Sequence, residues 1–433
     1  MSAYKARGAL RLAVCVAALT AVSGPALAEG FYLKEQSVRG AGRAFSGETA
    51  DQGVSSLWWN PASIARSGRE LYVGAHGILL KSDVENRNST ITYPGGVTLP
   101  IEGQAHANDP ISSGIVPNIG FAMPVGDRFA IGLNVSAPYN FTTKYEPNSF
   151  ARYDGLTSKL QTVNVGLTGA MQVTDWLDVG VGVDAQYAKA RLGSALPNLS
   201  PLLPDGRNNL EGDAINYGWN VGAQAHAGRW NVGLSYRSAI DHELDGKVTV
   251  SGLAGPLAGS NVTADGVATF STPWFASASV RYAATDTLTL NAQVNRAGWS
   301  EFDAIRVRYG AGGDVIIQDY KDVTGGSIGF DYEASERVTF RGGAAYDPTP
   351  TQDGERTARI PDGDRWLLSA GTSVKATDSV TIDGALTWII MDKSQIAVDR
   401  TFYAGTPAAT STSLRAESNG GGVAASIGAR WAF

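Results

Sequence analysis

The sequence predicts an all-β membrane protein, a transmembrane barrel of 14 antiparallel strands with an N-terminal plug in its lumen. Three observations predict this fold. Segments with two-residue alternation recur along the chain, the connections between them are alternately short and long, and the last alternating segment closes on Phe433. The 52 glycines, 16 tyrosines and 10 tryptophans favour strands, since the chain has little helical periodicity.

The first 28 residues have the form of a secretory signal peptide. Lys5, Arg7 and Arg11 precede an apolar run over 12–22, and an Ala-Leu-Ala cleavage site occupies 26–28. The run is too short to span a bilayer as a helix. We therefore expect cleavage after this site, with export of the mature chain.

Composition excludes several classes of function. Cleavage would leave 32 basic against 41 acidic residues, which disfavours nucleic acid as a partner because phosphates require a basic face. Cys15 is the only cysteine and would leave with the signal peptide, so we expect no disulfide. No later stretch approaches the ~20 apolar residues of a membrane-spanning helix.

Alternation gives each segment one apolar and one polar or small face. Trp230, Val232, Leu234 and Tyr236, for example, alternate with asparagine, glycine and serine. Many segments reach the length of a tilted membrane strand, and tryptophans gather at their ends, where an interfacial girdle would lie. We place strands near 69–83, 114–125, 128–138, 159–173, 176–190, 214–227, 229–240, 273–283, 287–300, 321–332, 337–346, 364–374, 379–391 and 421–433.

The connections also indicate a barrel and its orientation. Short turns near 126–127, 174–175, 228, 285–286, 335–336 and 377–378 alternate with long stretches near 84–113, 139–158, 191–213, 241–272, 301–320, 347–363 and 392–420. Short periplasmic turns and long extracellular loops are typical of outer-membrane barrels. Both termini are then periplasmic. We divide the mature chain into an N-terminal plug over 29–68, which does not alternate, and a barrel over 69–433.

Several stretches resemble the FadL family of outer-membrane long-chain fatty-acid transporters, which includes toluene transporters of the TodX type. The residues 40–48 are similar to the family's N-terminal hatch, and Asn60-Pro61-Ala62 to its NPA motif. Further similarities lie at 299–302, 320–322 and 360–366. The resemblance implies passive, ligand-gated diffusion of long-chain fatty acids through a lateral opening in the wall. The residues that it implies for the hatch and its gating are Gly40, Gly42, Asn60, Pro61 and Ala62.

The resemblance also implies a kink in the third strand, which makes the lateral opening. Pro138 and Tyr139 stand where that strand is predicted to end, and Pro138 cannot donate a ladder hydrogen bond. Pro138 either kinks the strand or begins the following loop. For the ligand's head group the family uses basic residues in an apolar pocket, and we select Lys321 first and then Lys189 and Arg191. The alternative is that these cations face water or lipid headgroups at strand ends.

The final strand resembles the C-terminal signal by which outer-membrane barrels are assembled. Trp431 and Phe433 carry this similarity, and the outer-membrane assembly machinery is the implied partner. We further expect a monomer in contact with the lipid bilayer and lipopolysaccharide.

Four alternatives to fatty-acid transport remain in view. The barrel could take up aromatic hydrocarbons, act as an open porin for polar solutes, or serve through its loops as an adhesin or a phage receptor. Asp241-His242-Glu243 is the densest charged triplet, but it lacks the pattern of a nucleophile–base pair. We therefore expect no enzyme, no metal and no cofactor.

Overall fold

The computed structural model describes residues 30–310 and 312–433, and the predicted signal peptide lies outside them. The strands are β1 (Glu70–Asn86), β2 (Thr90–Thr92), β3 (Thr98–Pro100), β4 (His106–Asn108), β5 (Gly114–Val125), β6 (Phe129–Ser136), β7 (Asn140–Lys144), β8 (Thr157–Gln172), β9 (Leu177–Leu196), β10 (Gly206–Ala227), β11 (Trp230–Arg237), β12 (Ile240–Ser251), β13 (Val262–Thr272), β14 (Trp274–Ala283), β15 (Leu288–Gly298), β16 (Ala304–Tyr309), β17 (Gly312–Ile317), β18 (Val323–Ser335), β19 (Val338–Asp347), β20 (Arg365–Lys375), β21 (Val380–Met391), β22 (Ser394–Phe402) and β23 (Thr410–Ala432). The helices are α1 (Val38–Ala41) and the 3₁₀ turns Glu48–Ala50, Val54–Ser56, Pro61–Ile64, Gly255–Ser260 and Trp299–Glu301.

The strands form a closed antiparallel barrel, which confirms the predicted fold. We call each complete crossing of the wall a stave, and over the described ranges there are 14 of them. Eight staves are single strands. The other six are interrupted and consist of β6–β7, β11–β12, β13–β14, β15–β16, β17–β18 and β21–β22. The first and last strands close the ring, with β1 and β23 paired from Glu70↔Ala432 to Asn86↔Ala416. Closure leaves no free sheet edge at the seam.

The outward face of the wall is apolar and the inward face is polar. On β9, Val181 and Val183 are 61% and 60% exposed, whereas Asp184 and Gln186, which follow them on the opposite face, are buried. This arrangement is the reverse of a soluble sandwich and is expected where lipid surrounds the wall. Among the described residues, none of the helices is long and apolar enough to cross a membrane.

The long connections are shorter than the sequence predicts, because many strands continue past the membrane band. The predicted loop 241–272 contains most of β12 and β13, which pair with each other, and 392–420 contains β22 and much of β23. The two-residue pattern fails there for a physical reason. Outward positions of β12 are Asp241, Glu243 and Asp245, which are exposed; they face water, so neither face has to be apolar.

The N-terminal segment, which we define as residues 30–67, lies inside the barrel. Nearly all of its side chains are buried, and it touches distant parts of the wall. Asn60 lies beside Gly222 of β10, while Gly42 approaches Gly371 of β20. In α1, a Cβ on Gly40 would lie 2.6 Å from the carboxyl carbon of Glu48. Gly40 and Gly42 therefore occupy the most crowded turn of this segment.

A buried charge cluster ties the N-terminal segment to the wall. The guanidinium of Arg43, which is fully buried, pairs with Glu48 and with Asp51 (Nη2 to Oδ2, 2.5 Å) in its own segment, and with Asp331 of β18 (Nη1 to Oδ1, 3.1 Å). Arg341 of β19 pairs with the same Asp331. Loss of one member would leave an uncompensated buried charge, which typically costs about 3–5 kcal/mol.

The Asn60-Pro61-Ala62 stretch is packed into a notch of the wall. The Asn60 Oδ1 caps the following 3₁₀ turn by accepting from the Ala62 N–H (2.9 Å), and its Nδ2 donates to the carbonyls of Thr49 (2.7 Å) and Ala223 (3.1 Å). Two glycines that face each other across β9 and β10, Gly180 and Gly222, line the notch. A Cβ on Gly222 would lie 2.0 Å from the Asn60 Oδ1. Only glycine leaves room for this approach.

Gly222→Val should therefore loosen the N-terminal segment without opening the barrel seam. We expect destabilisation of the packed segment by about 1–3 kcal/mol, the usual cost of overpacking. Limited proteolysis of the folded, membrane-inserted protein measures this, as faster cleavage within 30–67. The control is Gly169→Val, because a Cβ on Gly169 meets nothing within 4 Å. Equal cleavage rates for the two variants would contradict the packing role of the notch.

Candidate ligand path through the barrel wall

The wall has an opening between its second and third staves. In the described chain, β5 pairs with β6 only from Ile119↔Val135 to Val125↔Phe129. Residues 114–118 of β5 therefore have no ladder partner on the side of the third stave. The two staves meet again where the Ser112 N–H donates to the Thr142 carbonyl (2.9 Å). We call the space between 114–118 and 136–140 the gap.

The gap exists because the third stave bends inward at Pro138 and Tyr139. The strand resumes as β7 at Asn140, so these two residues interrupt a stave and do not begin a loop. The Tyr139 N–H donates to the Thr162 hydroxyl (3.0 Å) of β8 in place of a regular ladder bond. Pro138, which has no N–H, leaves no donor unpaired at the bend. The assignment of Pro138 and Tyr139 to a lateral opening stays a prediction about function.

The N-terminal segment holds both edges of the gap. The Leu33 N–H donates to the Pro138 carbonyl (2.8 Å) on one edge. On the other edge, the Asn118 amide donates to the Glu35 carbonyl (3.1 Å). Phe31, two residues before Leu33, contacts the Tyr139 ring with centroids 5.8 Å apart. Movement of residues 31–35 would therefore act on both sides of the opening at once.

An apolar cavity lies inside the barrel behind the gap, and Phe31 forms part of its wall. Its lining is largely aliphatic and aromatic and includes Phe31, Phe141, Leu192, Leu244, Phe270 and Phe302. The free volume is about 40 Å³, which is room for only a few water molecules. A larger molecule can enter only if some of these side chains move.

Arg359 is the buried cation at this cavity. Its Nη1 donates to the Ser158 hydroxyl (3.1 Å) on the lumen face of β8, while its Nε has no hydrogen-bond partner among the described residues. Burial lowers the pKa of Arg359 to about 10, an effect that the nearby Asp154 carboxylate opposes. The guanidinium stays charged at neutral pH. An incompletely bonded, buried cation is suited to a carboxylate stripped of water.

Arg359 also lines a larger space above the cavity, which we call the upper chamber. This chamber has a volume of about 620 Å³ and shares Leu192, Leu210 and Arg359 with the apolar cavity. On the lipid side of the wall, a crevice of about 360 Å³ runs along the gap and shares Lys159 and Ala190 with the cavity. We call it the outer crevice. Upper chamber, cavity and outer crevice thus adjoin in series.

The head-group prediction for Lys321 is wrong on position. Its side chain is exposed and does not line the cavity, and its backbone N–H donates to the Pro350 carbonyl (3.0 Å) in a loop. The aromatic neighbour Tyr320 turns inward instead and packs on Trp299 (5.5 Å). The two side chains point in opposite directions, which a similarity of three consecutive residues does not reveal.

Lys189 and Arg191 also lie outside the lumen. They share the face of β9 that carries the lipid-exposed Val181 and Val183, and they line the outer crevice. Lys189 pairs with Glu211 (3.2 Å), and Arg191 donates to Asn209 (2.9 Å). The prediction is thus wrong for the inner pocket, because strand register, which the sequence left unassigned here, decides the face.

Sequence reasoning missed Arg359 and Phe31. Arg359 directly precedes the 360–366 stretch that resembles the family, so a search for a basic residue beside that motif would have found it. Phe31 stands just after the predicted cleavage site and has no pattern of its own.

The end of the chain lies at the short-turn end of the barrel. Trp431 pairs with Leu71 and Val380 on the two neighbouring staves, and Phe433 is 73% exposed. The part that these two residues play in barrel assembly stays a prediction. Within the described ranges, no three His, Cys, Asp or Glu side chains come together in a metal-binding group.

Solved structures and sequences of known proteins place this architecture in a family. A crystal structure of a Pseudomonas aeruginosa FadL homologue aligns with a TM-score of 0.81 at 22% identity, over 93% of this chain and 100% of that one. The Pseudomonas putida toluene transporter TodX aligns with a TM-score of 0.68 at 16% identity, over 94% of this chain and 100% of that one. Both similarities concern the fold.

Sequence comparison extends along the whole barrel. A long-chain fatty acid transport protein of Escherichia coli O6:H1 is 30% identical, over 86% of this chain and 88% of that protein. Outer membrane protein P1 of Haemophilus influenzae is 27% identical, over 84% and 87%. The profile of the outer membrane protein transport proteins (OMPP1/FadL/TodX) matches residues 19–433. The chain belongs to this family of outer-membrane proteins.

Proposed function

We propose that the protein carries long-chain fatty acids across the outer membrane by passive, ligand-gated diffusion. The observation that supports this most directly is the series of upper chamber, apolar cavity and gap, with the buried Arg359 at the junction of the first two. An acyl chain fits the apolar lining, and a carboxylate fits the cation. Relatives described as long-chain fatty acid transport proteins support the same substrate class.

The head-group role belongs to Arg359 and not to Lys321. A carboxylate that enters a low-dielectric cavity loses its hydration, and this cost is offset when it accepts hydrogen bonds from a cation. Arg359 has an unused donor in that environment. Asp154, the nearby acid, already pairs with Arg400 (2.6 Å), so it leaves the guanidinium available to a ligand.

The N-terminal segment serves as the hatch. It fills the lumen, and its residues 31–35 touch the cavity and both edges of the gap. A ligand in the cavity has to displace Phe31, which moves the backbone that hydrogen-bonds to Pro138. Gly40, Gly42, Asn60, Pro61 and Ala62 are the residues that seat the hatch against the wall. Such a conduit requires no catalytic group, so we propose a transporter and not an enzyme.

Aromatic hydrocarbons are the second candidate substrate, because the apolar lining suits them and relatives in fold include toluene transporters. They carry no charge, so they would make no use of Arg359. The two substrate classes can therefore be separated at this one side chain.

Arg359→Gln should weaken the binding of a long-chain fatty acid and spare its uncharged methyl ester. Loss of a charged hydrogen bond costs about 1.5–3 kcal/mol, or roughly 10- to 150-fold in Kd. Titration of purified protein with the acid and the ester measures the difference. The exposed Arg229, which pairs with Asp286 at a short turn, provides the control Arg229→Gln. Equal weakening for acid and ester would remove Arg359 from the head-group role.

Asn60→Ala should make a closed barrel leak. The unaltered protein is expected to pass almost no steady current in a planar bilayer, in contrast to an open porin. The substitution leaves the carbonyls of Thr49 and Ala223 without their Asn60 donor, at a cost of about 1–3 kcal/mol per buried group, so we expect frequent brief openings.

The exposed Asn419 on β23 supplies the control, Asn419→Ala. A large steady conductance of the unaltered protein would favour the porin alternative. If Asn60→Ala passed no more current than the unaltered protein, the Asn60-Pro61-Ala62 motif would have no role in holding the hatch.

A further inference from the structure

Three cations on the outer surface of the wall line the outer crevice beside the gap. We infer that Lys159, Lys189 and Arg191 form an exit site, which receives the carboxylate of a fatty acid as it leaves through the gap into the outer leaflet. This inference rests on the proposed function, since it adds a second binding site for the same ligand.

Register places all three side chains on the outer surface. Lys159 of β8 faces Arg191 of β9 across the ladder, and further down the same two strands Leu167 faces Val183. Leu167 and Val183 are 57% and 60% exposed to the lipid. Residues an even number of positions apart on a strand share a face, so Lys159, Lys189 and Arg191 point outward as well.

The three cations lie at the outer border of the apolar band. Trp176 lies in the turn directly before β9, and Tyr187 lies at the outer end of the lipid-facing part of β9, 11 positions further on. That spacing gives about 36 Å along a strand, or about 28 Å along the axis of a barrel with the usual tilt, close to the ~25 Å height of the apolar band. Lys189 and Arg191 follow directly, where a carboxylate of the outer leaflet would lie.

The outer crevice gives these charges a place for an acyl chain beside them. Ile115 and Pro117 line it from one edge of the gap, Ala137 from the other, and Val163 from β8. Polar residues such as Asn140 and Thr162 complete the lining, and the three cations lie at its upper end. The crevice could therefore hold an amphiphile with its acyl chain towards the bilayer and its carboxylate at the interface.

Charge also favours an anion here. Lys144 of β7 lies one rung above Lys159, whose partner on that strand is Thr142. Lys247 of β12 faces Glu211 across the next ladder, and Asp245 faces Asp213. Five cations thus lie beside the three acids Glu211, Asp213 and Asp245. Lys189 uses Glu211, whereas Lys159 makes no ion pair in the described part of the chain. An added carboxylate would relieve the repulsion among the cations.

The inner cation Arg359 and the outer cation Lys159 lie on opposite sides of β8, at neighbouring residues of that strand. Arg359 donates to Ser158 on the lumen face of β8 (3.1 Å), and Lys159 is the next residue, on the lipid face. A carboxylate that leaves Arg359 around the bent third stave therefore meets Lys159 after the shortest passage without a partner. The exit site lowers the cost of that passage, so its effect belongs to the rate of release and not to binding in the cavity.

The test compares the triple variant Lys159→Gln/Lys189→Gln/Arg191→Gln with the unaltered protein in nanodiscs of pure phosphatidylcholine. Stopped-flow fluorescence follows the transfer of a polyene fatty acid from the protein into the surrounding lipid. We expect release about tenfold slower and an unchanged release rate for the methyl ester. The double variant Lys189→Gln/Arg191→Gln, which leaves the cavity lining unaltered, should keep a Kd in the cavity within twofold of normal. The exposed outward residues Lys81, Arg207 and Arg308 give a control variant, all three changed to Gln, with the same loss of charge.

Restoration by arginine at Lys159 and Lys189 would support a charge effect. A triple variant that behaves like the control, or that slows acid and ester equally, would overturn the exit site while leaving the proposed function intact. A slowing that appears only when anionic phospholipid is added to the nanodisc would assign the cations to resident lipid and overturn it too. No release from the unaltered protein would overturn the proposed function, and the exit site with it.

Discussion

The structure depends on one constraint, that every backbone N–H and C=O in the hydrocarbon layer must find a partner within the protein. A closed barrel meets this constraint through its ladders, and the β1–β23 seam completes the ring. The gap is the place where the ladder between two staves fails. There Pro138 removes one donor, Thr162 of β8 supplies an acceptor for Tyr139, and Leu33 of the N-terminal segment donates to the bent strand. The wall can therefore open here because the N-terminal segment supplies hydrogen bonds that the missing ladder does not.

The sequence was sufficient for the fold because lipid imposes a pattern on it. Where the outer face meets hydrocarbon, alternate residues must be apolar, and this pattern together with turn length predicts all 14 staves. The pattern ends with the lipid, so the sequence predicts loops where β12, β13, β16, β17 and β22 lie. Nothing in the local sequence distinguishes a strand that is wet on both faces from a polar loop.

The site was predicted less well, for a reason that concerns register. The motifs marked the N-terminal segment in the lumen and the bend at Pro138, because the Asn60 cap on the turn Pro61–Ile64 and the missing N–H of Pro138 are features of the local sequence. The motifs give the neighbourhood of Lys321, Lys189 and Arg191 but not the direction of their side chains. For Lys189 and Arg191 on β9, a shift of one residue reverses the face of the strand. Arg359 was missed because its burial follows from a loop that folds back into the lumen, a contact between Arg359 and Ser158 over 201 positions.

The continuation of the strands above the lipid has a consequence for where a ligand is first met. β10 has 22 residues, which span about 70 Å along the strand and about 55 Å along the axis at the usual tilt. With ~25 Å of that height inside the hydrocarbon layer, the wall rises about 30 Å above it. In an outer membrane this zone holds the hydrated sugar chains of lipopolysaccharide, which exclude hydrophobic molecules. The rim of the barrel thus receives its cargo beyond much of that carbohydrate coat, and the lumen replaces the coat as the medium through which the cargo descends.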